Sequence, residues 1–211
     1  MISLNYMKNQ NLKRMVLFVG IICVIFGCGL GDVHSDVYKD GLITVKHDEL
    51  PVKRGGQRIT FNHPYKLSEG FIAKILSDIY YREKGLFKRK GTFRVFQDEE
   101  IKKLVPLIMQ AFSVATPTQV IAVTSYSYRM ILSDKKNYCI LFIADHSLNI
   151  AFGRIHMFQT YNDIMSAKKR YLVTRENPAK KRRSNFWKLI PSAGQQLEPG
   201  HENWLVIDLP K

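Results

Sequence analysis

Two apolar segments, YCILFIA (138–144) and LNIAFGRIHMF (148–158), stand on either side of Asp145-His146-Ser147. Strand-forming residues joined by so short a polar break predict a hairpin. Just upstream, VIAVTSYSYRMIL begins at Val120. It places Val120, Ala122, Thr124, Tyr126, Tyr128 and Met130 on one face, with Ser125, Ser127 and Arg129 looking outward. These three strands predict an antiparallel sheet.

Helical spacing occurs in a separate block. In HPYKLSEGFIAKILSDIYYREKG, Phe71, Ile72, Ile75, Leu76, Ile79 and Tyr80 gather on one face, Ser68 suits an N-cap, and Gly85 closes the segment. A second helix opens at Asp98, with Glu99 and Glu100 in its first turn, where carboxylates suit the positive end of the helix dipole. Its buried stripe is Ile101, Leu104, Val105, Ile108, Met109 and Phe112; Pro106 should kink it or shift its start, and Pro117 ends it. GLITV, RITF, GTFRVF and NWLVIDL read as further strands, ELPVKRGGQ as a loop, and YNDIMSAKKRY as a short helix. Helices and hairpins in separate blocks define an α+β fold, an antiparallel sheet packed against two main helices.

The amino-terminal segment differs from everything after it. VLFVGIICVIFGCGLGD (16–32) follows a positive cluster of Lys8, Lys13 and Arg14, with no acid before Asp32. A charged start, an apolar core and small residues around a cysteine are the ordering of a signal peptide. The run from Val16 to Leu30 is shorter than the ~20 residues that cross a hydrocarbon core. A globular helix fits least, because the run has neither a polar face nor caps. Met1, Met7 and Met15 all offer starts; Met7 gives the tidiest leader, and Met15 would delete the orienting charges.

Ile25-Phe26-Gly27-Cys28 resembles the lipobox of bacterial lipoproteins, with a branched apolar residue three before the cysteine and a small one directly before it. The resemblance covers only about the first thirty residues. It implies that Cys28 receives a diacylglycerol, that the chain is cut between Gly27 and Cys28, and that the new amino end is acylated. Phe26 departs from the small or aliphatic residue usual at its place, and Cys23 follows Ile22, so it does not meet the pattern. Each buried methylene contributes about 0.8 kcal/mol, so two or more chains make membrane attachment long-lived. The implied organisation is a signal peptide over 1–27, a lipidated amino terminus and tether over 28–57, of which Gly29 to about Lys39 is the polar stretch, and a single α+β globular domain over 58–211. The implied address is the cell envelope, anchored on the periplasmic side. By analogy with enterobacterial lipoproteins, Gly29 after the cysteine, where aspartate is absent, implies the outer over the inner membrane.

Charge narrows the partners. The chain carries 32 basic and 18 acidic side chains, net +14; removing 1–27 takes Lys8, Lys13 and Arg14 and no acid, leaving 29 against 18, net +11. Such an excess suits an anionic neighbour: headgroups, lipopolysaccharide, peptidoglycan or nucleic acid. Export makes nucleic acid the poorest of these. The densest stretch is NPAKKRRSNFWKLIP, in which Lys180, Lys181, Arg182 and Arg183 are contiguous and Phe186, Trp187 and Lys188 follow; Lys168, Lys169 and Arg170 lie upstream. Cations beside an aromatic pair suit an anionic surface with an apolar boundary, and Lys180, Lys181, Arg182, Arg183 and Trp187 are the candidate contacts. The competing expectation is a solvated basic loop with both rings packed inward.

With Cys23 removed and Cys28 lipidated, only Cys139 remains, so no intramolecular disulfide is expected and the core must hold the body. Cys139 lies among apolar neighbours on both strand faces and is expected to be an inert buried thiol. The chain has no H-E-x-x-H, G-x-S-x-G or phosphate-binding glycine loop. Gly27, Gly29 and Gly31 follow a signal core, not a strand, and His201-Glu202-Asn203 lacks a second histidine. Asp145 and His146 would meet His156 or Arg154 only across the sheet, and His63-Pro64-Tyr65 suits a cap or packing role. No cofactor or metal is expected. The leading expectation is a non-enzymatic envelope module that is held to the membrane through Cys28 and binds an anionic polymer, headgroups or another envelope protein. The alternatives are a hydrolase with a dispersed site, signalled by a pocket placing His156 or His63 beside an acid, and a hydrophobic-ligand carrier using Tyr126, Tyr128 and Phe152 around a cavity.

Overall fold

The hairpin forms where the sequence places it. The computed structural model describes residues 36–39, 43–86, 88–127, 135–158 and 176–210, all within the compact unit His34–Lys211. Strands β8 (Lys135–Ala144) and β9 (Ser147–Phe158) pair antiparallel, with Ala144 opposite Ser147. Asp145 and His146 turn the chain with φ of 50° and 57°, the left-handed pair that a two-residue hairpin requires. β7 (Val120–Ser127) lies against β8, and β2 (Ile43–Asp48) and β1 (Asp36–Lys39) extend that side. On the other side β9 pairs with β12 (Trp204–Asp208), and β12 with β11 (Gln195–Leu197). The seven-stranded order is β1-β2-β7-β8-β9-β12-β11, antiparallel throughout. With helices α1 (Glu69–Ser77) and α2 (Asp98–Val114), the fold is α+β.

The nearly continuous apolar run of β8 has a physical reason: both faces of the sheet are covered. Val45, Val123, Cys139, Leu141, Ile150 and Leu205 form one core with the helix residues Ile72, Leu76, Leu104, Ile108 and Phe112. Ala122, Tyr138, Ile140, Phe142, Ala151 and Trp204 face the opposite way, where Val52, Phe61 and Ala179 close over them. A strand buried on both sides has no face left for polar alternation.

The second helix matches its expected start and stripe. Gln97 is its N-cap, and the Gln97 backbone N–H donates to Glu100 Oε2 at 2.9 Å. Its expected stripe is buried, with Met109 half-buried. The helix neither restarts nor breaks at Pro106, which is exposed; the Lys102 carbonyl that loses its donor lies on the same wet side. In α1, Ser68 caps as expected, its hydroxyl accepting from the Phe71 N–H at 3.4 Å.

Several expectations are corrected. α1 does not run to Gly85; it ends at Ser77, and Tyr80–Glu83 is strand β5, paired with β10 (Trp187–Ile190) and with the short β6 (Phe93–Arg94). Aromatic Tyr80 and Tyr81 suit a pleated surface, and cross-strand pairing outweighs the helical spacing. The strand expected over 58–61 is only the end of a two-residue hairpin, β3 (Lys53–Arg54) with β4 (Gln57–Arg58), turned by Gly55 and Gly56 at positive φ. The body begins before residue 58: β2 lies inside the sheet, and Val52 is in the core. Ser125 does not face outward but is fully buried on the helix side, where its Oγ accepts from Asn137 Nδ2 at 3.3 Å. Residues 1–35, 128–134 and 159–175, and with them Gly27, Cys28, Tyr128, the basic Lys168–Arg170 cluster and the short helix expected over 161–171, lie outside the described residues.

Candidate anion-binding site

The basic run is held by its own start. Asn177 accepts from the Ala179 N–H at 3.1 Å and donates to Pro51 O at 2.9 Å, opening a single 3₁₀ turn at Pro178–Lys180. Pro178 and Ala179 pack into the sheet face away from the helices, and buried Asn203 donates to Pro178 O (3.0 Å) and Phe152 O (2.8 Å). The cations that follow therefore leave a fixed backbone.

Their fates differ. Lys181 bends inward, its Nζ donating to Gly153 O (3.2 Å) and to Glu176 Oε1 (3.4 Å). Lys180, Arg182 and Arg183 are exposed. Lys180 and Arg182 line a cleft of about 710 Å³ together with Pro51, Lys53, Arg54, Gly55, Gly56, Ala179, Glu198, Pro199 and His201. Four cations and one carboxylate line it, and among the described residues Lys53, Lys180 and Arg182 have no ion-pair partner. Arg54 is committed: it reaches Asp145 (2.7 Å), both Glu198 oxygens (3.0 and 2.9 Å) and Asn149 Oδ1 (2.9 Å), and sits over the Trp204 ring. This fork ties the β3–β4 hairpin to the β8–β9 turn and leaves Lys53 on a rigid rim. His201 Nδ1 donates to Lys181 O (3.3 Å), and the ring packs edge-on against Trp204. Unneutralised cations around a concavity produce a focused positive potential suited to an anion.

Trp187 does not contribute an exposed ring. It is 2% exposed in the helix-side core, whereas Phe186, one residue earlier, is 63% exposed. Strand alternation explains both, since β10 starts at Trp187 and turns Trp187 and Leu189 inward. Lys53 was missed because VKRGGQ reads as a loop with incidental charge; only the tertiary fold brings it beside Lys180.

His63 and His156 are engaged in the body. His63 is buried, and its Nε2 accepts from the Ile143 N–H at 3.0 Å; Phe61 stacks on the ring and Phe112 meets it edge-on. Burial lowers its pKa from 6.5 to about 4, more than the backbone hydrogen bonds of Gln119 and Thr116 raise it. His156 bonds Val95 O through Nε2 (2.8 Å) and lies against Tyr81, while Glu83 of the same groove carries Arg89. Cys139 is 2% exposed, and burial pushes its thiol pKa up. Phe152 packs against Phe96 in the core. Among the described residues no three His, Cys, Asp or Glu side chains cluster to hold a metal, and no helix is long and apolar enough to cross a membrane.

No protein-family model matches the chain, and neither does any curated protein or solved structure.

Proposed function

We propose that the chain is a lipid-anchored cell-envelope lipoprotein whose α+β body binds an anionic component of the envelope without transforming it. The observation that carries the binding half is the cleft rimmed by Lys53, Lys180 and Arg182, three cations without ion-pair partners among the described residues. The net +11 that remains after residue 27 and the lipobox-like Ile25-Phe26-Gly27-Cys28 support the address. An anion entering this cleft displaces only water and counter-ions from the three cations, with no internal salt bridge to break.

The anchor is tested by mass spectrometry of the amino terminus from membrane fractions, comparing the native chain with Cys28→Ser. A lipid-sized mass on Cys28 that the variant lacks is expected; an intact leader overturns the anchor. The cleft is tested by pull-down on peptidoglycan and lipopolysaccharide over a salt series. The triple variant Lys53→Gln, Lys180→Gln, Arg182→Gln should lose most binding, and retention equal to the native chain's overturns the cleft reading.

A further inference from the structure

A second surface carries a different chemistry. Among the described residues the exposed large hydrophobic side chains are Leu86 (98%), Phe186 (63%) and Val114 (63%). Leu86 and Phe186 come from segments about a hundred residues apart, yet both line one open, mainly apolar groove of about 500 Å³ over Ile155 and Met157. The two segments are locked together: the Lys84 N–H donates to Phe186 O at 2.8 Å, and Lys84 Nζ to Ser184 O at 3.0 Å. The apolar tips are thus presented by one unit and do not arise from two independent loops.

The setting of these tips is cationic. Residues 84–90 and 183–188 contain Lys84, Lys88, Arg89, Lys90, Arg183 and Lys188 and no acidic side chain. Lys84 is paired with Glu202 and Arg89 with Glu83, whereas Lys88, Lys90, Arg183 and Lys188 have no ion-pair partner among the described residues. Leaving a leucine and a phenylalanine in water forgoes the gain from burying their apolar area, so a surface that covers them is favoured. That surface must be apolar a few ångströms in and anionic outside.

We propose that this face docks on an anionic phospholipid bilayer, with Leu86 and Phe186 entering the headgroup–acyl boundary and the surrounding lysines and arginines meeting lipid phosphates. Charge complementarity selects this occupant: basic residues near an anionic bilayer are attracted to its surface potential, and an aromatic ring suits the boundary itself. The inference deepens the membrane address proposed above and rests on it for the location of the protein. It is independent of how the chain is held there.

The test is hydrogen exchange on the full chain in nanodiscs of phosphatidylcholine alone or mixed with phosphatidylglycerol. Amides in 84–90 and 183–188 should exchange several-fold more slowly in the anionic discs. In Leu86→Ser/Phe186→Ser the slowing should vanish, with the unfolding midpoint unchanged because both side chains are exposed. Equal exchange in the two discs, or slowing that persists in the double variant, overturns the proposal and leaves the face to a protein partner. The amino-terminal mass of the same sample separates this from the anchor: slowing with an unmodified Cys28 keeps the docking face and retires the lipid, and lipid without slowing does the reverse.

Discussion

Acid should loosen this fold through one imidazole. His63 is 6% exposed between Phe61 and Phe112, and its Nε2 must keep a lone pair to accept the Ile143 N–H of β8. Protonation would strand that amide and place a charge in the core. The pKa is 6.5 in the unfolded chain and about 4 in the folded one. Between those values the unfolded state binds the extra proton, so stability is fully present above pH 6.5 and falls as pH drops toward 4. At about 1.4 kcal/mol per pH unit the loss amounts to about 3 kcal/mol. Half-buried Glu100 acts with the opposite sign. Its carboxyl is pushed up mainly by desolvation, so the native state holds that proton better and gains stability as pH falls. The informative quantity is therefore the difference between native protein and His63→Gln, whose amide oxygen can accept from Ile143 without titrating. Urea unfolding from pH 8 to pH 4 is read by the fluorescence of buried Trp187 and Trp204. The native profile should fall about 3 kcal/mol further than that of the variant; parallel profiles would refute the assignment.

Gly153 carries a different constraint, since an added Cβ would stand 2.9 Å from Tyr138 Cδ1 and 3.4 Å from Pro178 Cγ, and the Tyr138 hydroxyl is tied to Glu176 O. Gly153→Ala should cost about 1–3 kcal/mol in chemical denaturation, and an unchanged midpoint would show that the ring can move aside. In a chain carrying Cys23→Ser and Cys28→Ser, Cys139 should resist thiol reagents until the fold opens, so its labelling rate should follow denaturant; rapid labelling in buffer contradicts its burial. Lys181→Met, which loses the contacts to Gly153 O and Glu176, should lower stability by about 1 kcal/mol in urea unfolding and leave most anion retention intact. Loss of retention equal to that of the Lys53, Lys180, Arg182 variant, with no change in stability, would mean that charge density alone governs binding.

The parts of the fold that could be read in the sequence are those in which local chemistry and tertiary context agree. The Asp145-His146 turn, the Ser68 cap and the stripe of α2 are each specified within a few residues. The segment after Ser77 is ambiguous in sequence, because Ile79 and Tyr80 continue a helical spacing and equally suit a strand. The deciding partner, β10, lies more than a hundred residues later. Alternation along VIAVTSYSYRMIL puts Ser125 on the outward side, which presumes that one face of the sheet meets water. That premise fails when both faces are covered and Asn137 satisfies the hydroxyl.

The same reasoning separates charge that is present from charge that is available. Lys180 to Arg183 looks uniform in sequence, but the fold spends Lys181 internally and turns its neighbours outward. Arg54 and Lys53 are adjacent, and the first is enclosed by two carboxylates while the second has none. A Lys or Arg contributes to an external field only when no internal carboxylate lies within a few ångströms, because a close partner cancels most of its potential at a distance. Counting basic residues therefore overstates the 180–183 run and passes over Lys53. It also hides the cations beside Leu86, of which Lys88, Arg89 and Lys90 lie between the expected helix end at Gly85 and the expected strand that starts at Gly91. Phase has a matching effect on the aromatics: shifting the start of β10 by one residue would exchange Phe186 and Trp187 between core and water. The apolar tip of the proposed docking face is thus set by strand register, and composition alone does not locate it.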